Sequence, residues 1–402
     1  MIDRPTYLAK LLKWKDRDVI KVVTGVRRCG KSVALSLFRE RLLAEGVAPD
    51  HIISYNLEFL EDERLKDYRV LHDEILSRLH DEAMHYVFVD EIQNVDGFQF
   101  VLDSLYVRSN IDLYVTGSNA LLLGDTLATL LSGRYVEINM TPLSFSEYRS
   151  AFEGEMISNQ RLYSRYLACG GFPAAISLDD DMRYDYLVGV LNTVLFKDVV
   201  QRMGIANTLG LNALVDYLYD NIGNIVSANS IAEALCRGGV RISANTVGEY
   251  LSGLKNSYIF YQAKRYDVRG RRILEQKDKF YASDLGMRRV VLSNQVRDAG
   301  RLLENLVYLE LRRRCAAVYV GKMGDAEVDF VVEGSSGRAY YQVAQTVVDP
   351  TTLERELKAL NAIRDNCKKV LLTLDDEEAT SIDGIVKMNA LDWMLGMDEP
   401  EG

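Results

Sequence analysis

Apolar residues recur along the first third of the chain in short unbroken runs: VIKVV from Val19, HIISY from His51, YVFV from Tyr86, DLYV from Asp112 and RYVEINM from Arg134. Between them lie stretches of helical length, such as SVALSLFRERLLAEG. Short β-rich runs alternating with helices up to about Ile138 are the pattern of βαβ units and a parallel sheet covered by helices. From Ser144 to about Ile222 helical periodicity takes over, in SEYRSAFEG, RLYSRYLACGG and DYLVGVLNTVLFKDVVQRMG. Between Asn224 and Asp284 two helical stretches precede a two-strand pattern around the turn Val268-Arg269-Gly270, the order of a winged helix. Beyond Gly286 come a helix (RLLENLVYLELRRR), strand-like AVYVG, EVDFVVE and RAYYQVAQ, a second helix (TLERELKALNAIRDN) and KKVLLTLD, a further α/β region. The expected division is 1–143, an α/β domain; 144–223, a helical subdomain; 224–286, a winged helix; and 287–402, a second α/β domain.

With 402 residues, the chain is longer than one hydrophobic core usually serves, which agrees with several domains. Its 48% apolar and 26% charged residues are a globular balance. Cys29, Cys169, Cys236, Cys315 and Cys367 are scattered and form no CxxC pair, so they indicate neither a disulfide framework nor a zinc site. The first residues are interrupted by charge, and no run of about 18 apolar residues occurs, so neither a signal peptide nor a membrane span is expected and the predicted location is cytoplasmic. The net charge of -10 hides an asymmetry: Asn224 to Arg289 holds twelve basic residues against six acidic ones. Lys264, Arg265, Arg269, Arg271 and Arg272 cluster on the expected wing, with Tyr261 and Tyr266 between them, a composition suited to the phosphates of DNA. Ser243-Ala244-Asn245-Thr246 would open the helix whose first turn faces DNA.

The strongest chemical signal is Gly25-Val26-Arg27-Arg28-Cys29-Gly30-Lys31-Ser32, followed by Val33. It satisfies GxxxxGK[ST], follows a strand-like run and opens a helix-like one, as a phosphate-binding loop requires. Glycines let backbone N–H groups turn inward, and the helix N-terminus adds positive potential. Lys31 is expected at the β and γ phosphates of ATP and Ser32 on Mg2+. Tyr86 to Val89 then ends in Asp90-Glu91, two carboxylates at the carboxyl end of a buried strand, where ligands of open α/β sheets bind. Asp90 would hold the magnesium, and Glu91 would act as general base on the attacking water. The next strand ends in Thr116-Gly117-Ser118-Asn119, and either Asn119 or Ser118 could meet the γ phosphate or orient the water; a simple helix N-cap is the other reading of this turn.

The joint order of GVRRCGKS, FVDEIQNV, YVTGSNALLL, LSGRYVEINMTPLSFSEY, LACGGFPAA, LFKDVVQR, KFYASDLG, LLENLVYLELRRR, EVDFVVE and YYQVAQ resembles a family of prokaryotic AAA-type ATPases with a carboxyl-terminal domain labelled DUF4143. The resemblance covers essentially the whole chain. It implies a P-loop ATPase core, a helical and winged-helix middle, and a last domain of restriction-endonuclease-like fold. It also places Gly133-Arg134 where such ATPases set an arginine near the γ phosphate, within the subunit or on a neighbour in a homo-oligomer, which suits charge spreading over the transferred phosphoryl group. A working nuclease of that fold carries a metal-binding acid and a (D/E)xK triplet. Glu304 and Asp329 could fill the acidic positions, but Gln342-Val343-Ala344 offers an amide for the acid and Ala for the lysine, so a non-catalytic domain is expected. The resulting expectation is a Mg-ATP-hydrolysing ATPase acting at DNA. The competing classes are an ATP-dependent switch that recognises a protein and, third, an ATP-regulated nuclease.

Overall fold

The computed structural model describes residues 2–120, 131, 133–292, 298–334 and 337–396. The chain divides into two compact units, Met1–Pro142 with Asn256–Tyr258 and Leu143–Lys255 with Ile259–Gly402. The nearly continuous apolar runs of the first unit form a parallel sheet: β1 (Ile20–Thr24), β2 (Ile52–Asn56), β3 (His85–Asp90), β4 (Ile111–Gly117) and β5 (Tyr135–Asn139), in the order β2-β3-β4-β1-β5. Every described neighbour pair is parallel. Burial on both faces explains why β1, β3 and β4 read as runs rather than as alternations. Helices α1 (Pro5–Trp14), α2 (Lys31–Ala44), α3 (Tyr68–Ser77) and α4 (Phe98–Tyr106) flank the strands, and the core on one face joins Val22, Val87, Val89 and Val115 to Leu71, Ile75, Leu102 and Leu105. Within the sheet, Lys21 is fully buried and bonds to Asp112, which also accepts from Tyr114 Oη (2.8 Å) and the Asp16 amide (2.9 Å).

The second unit begins with helices α5 (Phe145–Ser150), α6 (Asn159–Cys169) and α7 (Asp180–Thr193). The single helix expected from Asp185 to Gly204 instead turns π-helical over Val194–Gln201. Then follow α8 (Thr208–Asp220), β6 (Ile225–Val226), α9 (Ala228–Arg237), α10 (Ala244–Asn256) and the hairpin β7 (Phe260–Asp267) and β8 (Arg272–Ala282), with β6 antiparallel to β8. The outer edge of β7 is not free. It pairs in parallel with β9 (Ala317–Met323), Arg265 opposite Val320, so the hairpin and the later strands share one nine-stranded sheet across the boundary expected at 286/287. Pairing both edges of β7 satisfies backbone groups that a free edge would leave to solvent. After α11 (Leu285–Val291) and α12 (Ala299–Arg314), this mixed sheet continues through β10 (Ala326–Gly334) and β11 (Gly337–Val343), then, past α13 (Pro350–Asn361), through β12 (Lys368–Thr373), β13 (Thr380–Ile382) and β14 (Ile385–Asn389), and the described chain ends near α14 (Ala390–Met394). The last two strands and α14 are absent from the sequence expectation; they are five residues or fewer, too short for a periodic signal.

Two of the quoted motifs meet inside this unit. Asp284 accepts the Gly171 amide (2.6 Å) and the Met287 amide (3.1 Å). A Cβ on Gly170, at φ +72°, would lie 2.2 Å from the Asp284 carboxylate, so the close approach requires glycine there. Burial pushes the Asp284 carboxyl up to about 6, against the three backbone bonds from Gly171, Met287 and Gly286 that pull it down. A carboxyl whose folded pKa is raised binds its proton more tightly in the folded state, so its contribution to stability grows as pH falls from 7 toward 4. Urea titrations of wild type and Asp284→Ala should therefore show a stability difference that widens by about 2–3 kcal/mol over that range; a constant difference would show that Asp284 titrates normally.

Candidate active site

The loop Gly25–Gly30 leaves β1 and enters α2 in a conformation its glycines permit. Gly25 has φ +145°, and a Cβ there would stand 2.1 Å from the Met140 carbonyl oxygen; Gly30, the residue before α2, has φ +105°. Arg28 also has positive φ and is exposed, while Val26 and Cys29 are buried. Burial pushes the Cys29 thiol up, so it behaves as an apolar filler. Beneath the loop lies a support that carries no motif: buried Arg4 donates to the carbonyls of Cys29 (2.8 Å) and Thr141 (2.7 Å).

Lys31 is buried, and its Nζ donates to the Gly25 carbonyl (3.1 Å) with Glu91 Oε1 3.6 Å away. Ser32 and Val33 are exposed at the start of α2. Asp90 ends β3. Its carboxylate accepts from the Ser32 and Thr116 hydroxyls, and burial outweighs those bonds to hold its pKa above the usual carboxylate range. Glu91 follows at φ +55°, a left-handed conformation rare for a side-chain residue and one that marks functional turns. The Glu91 amide donates to Thr116 Oγ1 (2.8 Å), and Gln93 Nε2 donates to the Glu91 carboxylate. Burial would push Glu91 up, but Lys31, Arg27 and the bonds from Gln93 and Ser118 outweigh it and keep the pKa below the usual range. Arg27 itself bonds Glu58 (2.7 Å) and reaches Ser118 Oγ (3.4 Å). Asn119 is buried beside Ser118 just past β4. A cavity of about 440 Å³ opens against Ser32 and Asp90, lined also by Arg39, Asn56, Phe59 and Asp62.

Glycine cradle, lysine, hydroxyl and two carboxylates thus share the carboxyl edge of the sheet, and oxygen donors such as Ser32 and Asp90 suit a hard cation. Thr116, which bridges Asp90 and Glu91, and Gln93 were missed by the sequence reading. A hydroxyl or amide near a motif carries no signal of its own.

Arg134 is not brought to this edge. Its carbonyl accepts from the Ile20 amide (2.8 Å) just before β5, which runs parallel to β1 from Ile20–Tyr135 to Thr24–Asn139. It therefore stands at the amino-terminal edge, roughly 15 Å of strand from Gly25. Its guanidinium pairs with Asp103 (2.5 Å) and lies over the Tyr106 ring (5.3 Å). Of the two placements the resemblance left open, within the subunit or on a neighbour, the fold does not bring Arg134 to the phosphate loop of its own chain.

In the second unit, the residues expected to mark a restriction-like site do converge, but around a lysine from another strand. Lys279 of β8 donates to Glu304 of α12 (2.8 Å), lies 2.7 Å from Glu327 and 3.9 Å from Asp329 of β10, and Tyr281 Oη donates to Glu304 (2.6 Å). Burial would lower the Lys279 pKa, but Glu304, Asp329 and Glu327 together raise it. Gln342 accepts the Asp329 amide (3.3 Å) and donates to Glu356 (2.9 Å). With an ammonium among the carboxylates, an amide in place of the second acid and Ala344 without an amine, the set does not fit a divalent cation.

A family model described as an AAA domain matches residues 17–149, and one described as a domain of unknown function, DUF8612, matches residues 160–298. An uncharacterized protein of Haemophilus influenzae is 38% identical over 398 residues, 98% of this chain and 99% of that protein. The chain belongs to that protein's family. An uncharacterized protein of Methanocaldococcus jannaschii is 29% identical, over 92% of this chain and 87% of its own length. A solved Walker-type ATPase of Pyrococcus abyssi aligns with a TM-score of 0.50 at 15% identity over 73% of this chain and 96% of its own, which shows a shared fold. The AAA-type assignment of the amino-terminal region therefore stands. The DUF4143 label for residues 287–402 is not shown; the model matching beyond the AAA domain is DUF8612, over residues 160–298. Among the described residues no helix of this AAA-domain protein is long and apolar enough to cross a membrane.

Replacing Lys279 by methionine would leave Glu304 and Asp329 buried, and the partly exposed Glu327 beside them, without their cation. Denaturant titration of Lys279→Met should show a loss of about 3–5 kcal/mol at neutral pH that shrinks on acidification, as protonation removes the repulsion; an unchanged midpoint would mean that Lys279 is not their counterion.

Proposed function

We propose that this chain binds and hydrolyses Mg-ATP and couples that cycle to DNA. The observation that carries the first half is the convergence of Lys31, Ser32, Asp90 and Glu91 on one sheet edge, beside a loop that tolerates only glycine at position 25. In this reading the N–H groups of Gly25 to Val33 and the start of α2 take the phosphates, and Lys31 exchanges the Gly25 carbonyl for β and γ oxygens. Ser32 and Asp90 hold magnesium, which supplies Lewis-acid neutralisation of the phosphate oxygens. Glu91, kept ionised by Lys31 and Arg27, takes the proton of the attacking water, and Asn119 orients that water from the end of β4. A role for Arg134 at a phosphate then requires a neighbouring copy in a homo-oligomer.

Support for DNA comes from the helix–strand–helix–helix–hairpin order of α8 to β8, which we read as a winged helix, and from its charge. Lys264, Arg269, Arg271 and Arg272 are exposed, and Arg265 is half-buried. Arg269 and Arg271 line a cavity of about 570 Å³ with Arg364 and Asn361, two residues that the sequence reading did not single out. Among the described residues these three guanidinium groups have no carboxylate partner, which leaves them for phosphate oxygens. The protein-recognition reading has one observation in its favour: Phe59, at the mouth of the cavity beside Ser32, and the adjacent Leu60 are 58% and 81% exposed.

Steady-state ATP hydrolysis should fall at least 100-fold in Glu91→Gln while nucleotide binding persists, because only the base is removed. Duplex DNA should raise wild-type turnover. The triple variant Arg269→Ala, Arg271→Ala, Arg272→Ala should keep basal turnover but lose that stimulation, with a shallower salt dependence of DNA binding. Turnover that no DNA changes would favour a protein partner of the ATP-bound state.

A further inference from the structure

Histidine occurs only four times, at 51, 72, 80 and 85, and two of the four are placed together by the sheet. Parallel pairing sets Ile52 beside Tyr86, so His51, which closes the short turn before β2, and His85, which opens β3, meet at the amino-terminal edge, with ring centroids 4.5 Å apart. Asp81 enters from the connection between α3 and β3 and sets Oδ2 3.3 Å from His51 Nε2. One ring nitrogen of each histidine and one carboxylate oxygen of Asp81 lie within 4.8 Å of one another. A tetrahedral ion with bonds of about 2.0–2.2 Å holds its donors roughly 3.3–3.6 Å apart, and the 3.3 Å separation of His51 Nε2 and Asp81 Oδ2 already lies in that range.

The surroundings orient the donors. The Ala83 amide donates to Asp81 Oδ1 (2.8 Å), which turns Oδ2 toward His51, and the Ala83 carbonyl faces His85 Nδ1 (2.9 Å). A proton on Nδ1 leaves the lone pair of His85 on Nε2, the arrangement that outer partners impose on metal-binding imidazoles. That nitrogen accepts one long contact, from the His80 amide at 3.3 Å. His85 is buried, His51 is 18% exposed and Asp81 55% exposed by side chain, so one face of the cluster is open to water.

We propose that His51, Asp81 and His85 form a binding site for a divalent transition-metal ion of the zinc class, with water completing its coordination. Two imidazoles and a carboxylate are a nitrogen and oxygen set of the kind zinc takes in three-ligand sites. The ion would tie the connection before β2 to the connection before β3, at the edge of the sheet away from the P-loop, and displace the long His80 contact.

The test uses the full chain, stripped with chelator, without nucleotide, and titrated with Zn2+ alone and then with Co2+. Expected are one equivalent of zinc, a cobalt absorption spectrum of a low-coordinate site, and a zinc-dependent rise in Tm. Asp81→Asn and His51→Ala, both at partly exposed positions, should melt normally without zinc, bind it at least tenfold more weakly and lose the rise in Tm. Failure to bind stoichiometric zinc would overturn the assignment, and so would equal affinity in wild type and both variants, since the ion would then sit elsewhere.

Discussion

Parallel pairing is the constraint on which the first unit depends. In a parallel sheet every strand ends at the same edge, so residues far apart in sequence meet wherever their strands stop. Thr24, Asp90 and Gly117 are such ends, and Gly25, Glu91 and Ser118 are the next residues. The opposite edge collects strand beginnings by the same rule, His51 and His85 among them. One register thus separates two chemistries, oxygen donors and a lysine at one edge and imidazoles at the other. It also puts Arg134, which belongs to a strand beginning, at the edge away from the P-loop of its own chain.

At the carboxyl edge of the sheet, neighbours bias two adjacent carboxylates in opposite directions. Asp90 is bonded only by neutral hydroxyls, and burial wins; Glu91 lies near Lys31 and Arg27, and the cations win. A buried carboxylate kept ionised is a competent proton acceptor, and one whose hydroxyl partner sits at the start of a helix is placed to share a cation with it. The strained backbone of Glu91 is held by Thr116, whose single hydroxyl serves both acidic residues.

The second unit uses the same electrostatics for a different end. Lys279 gathers Glu304, Glu327 and Asp329 from a helix and a strand, neutralising a set that would otherwise repel. The charge that a metal would have supplied comes from a side chain on β8. Because β7, the partner of β8, also pairs with β9, hairpin and later strands form one sheet.

What the sequence determined by itself was local. The runs that became β1, β3 and β4 were legible because strands buried on both faces are mostly apolar, and the P-loop and Asp90-Glu91 were legible because their chemistry needs adjacent residues. The β7–β8 hairpin was legible from its turn. The tertiary structure alone decided which edge each residue occupies, and so the remote place of Arg134, the bridging of Thr116, the support of Arg4 beneath Cys29, the lysine from β8 where Ala344 offered none, and the meeting of His51, Asp81 and His85. Those depend on register and on side chains converging from separate elements, and spacing along one chain carries no record of either.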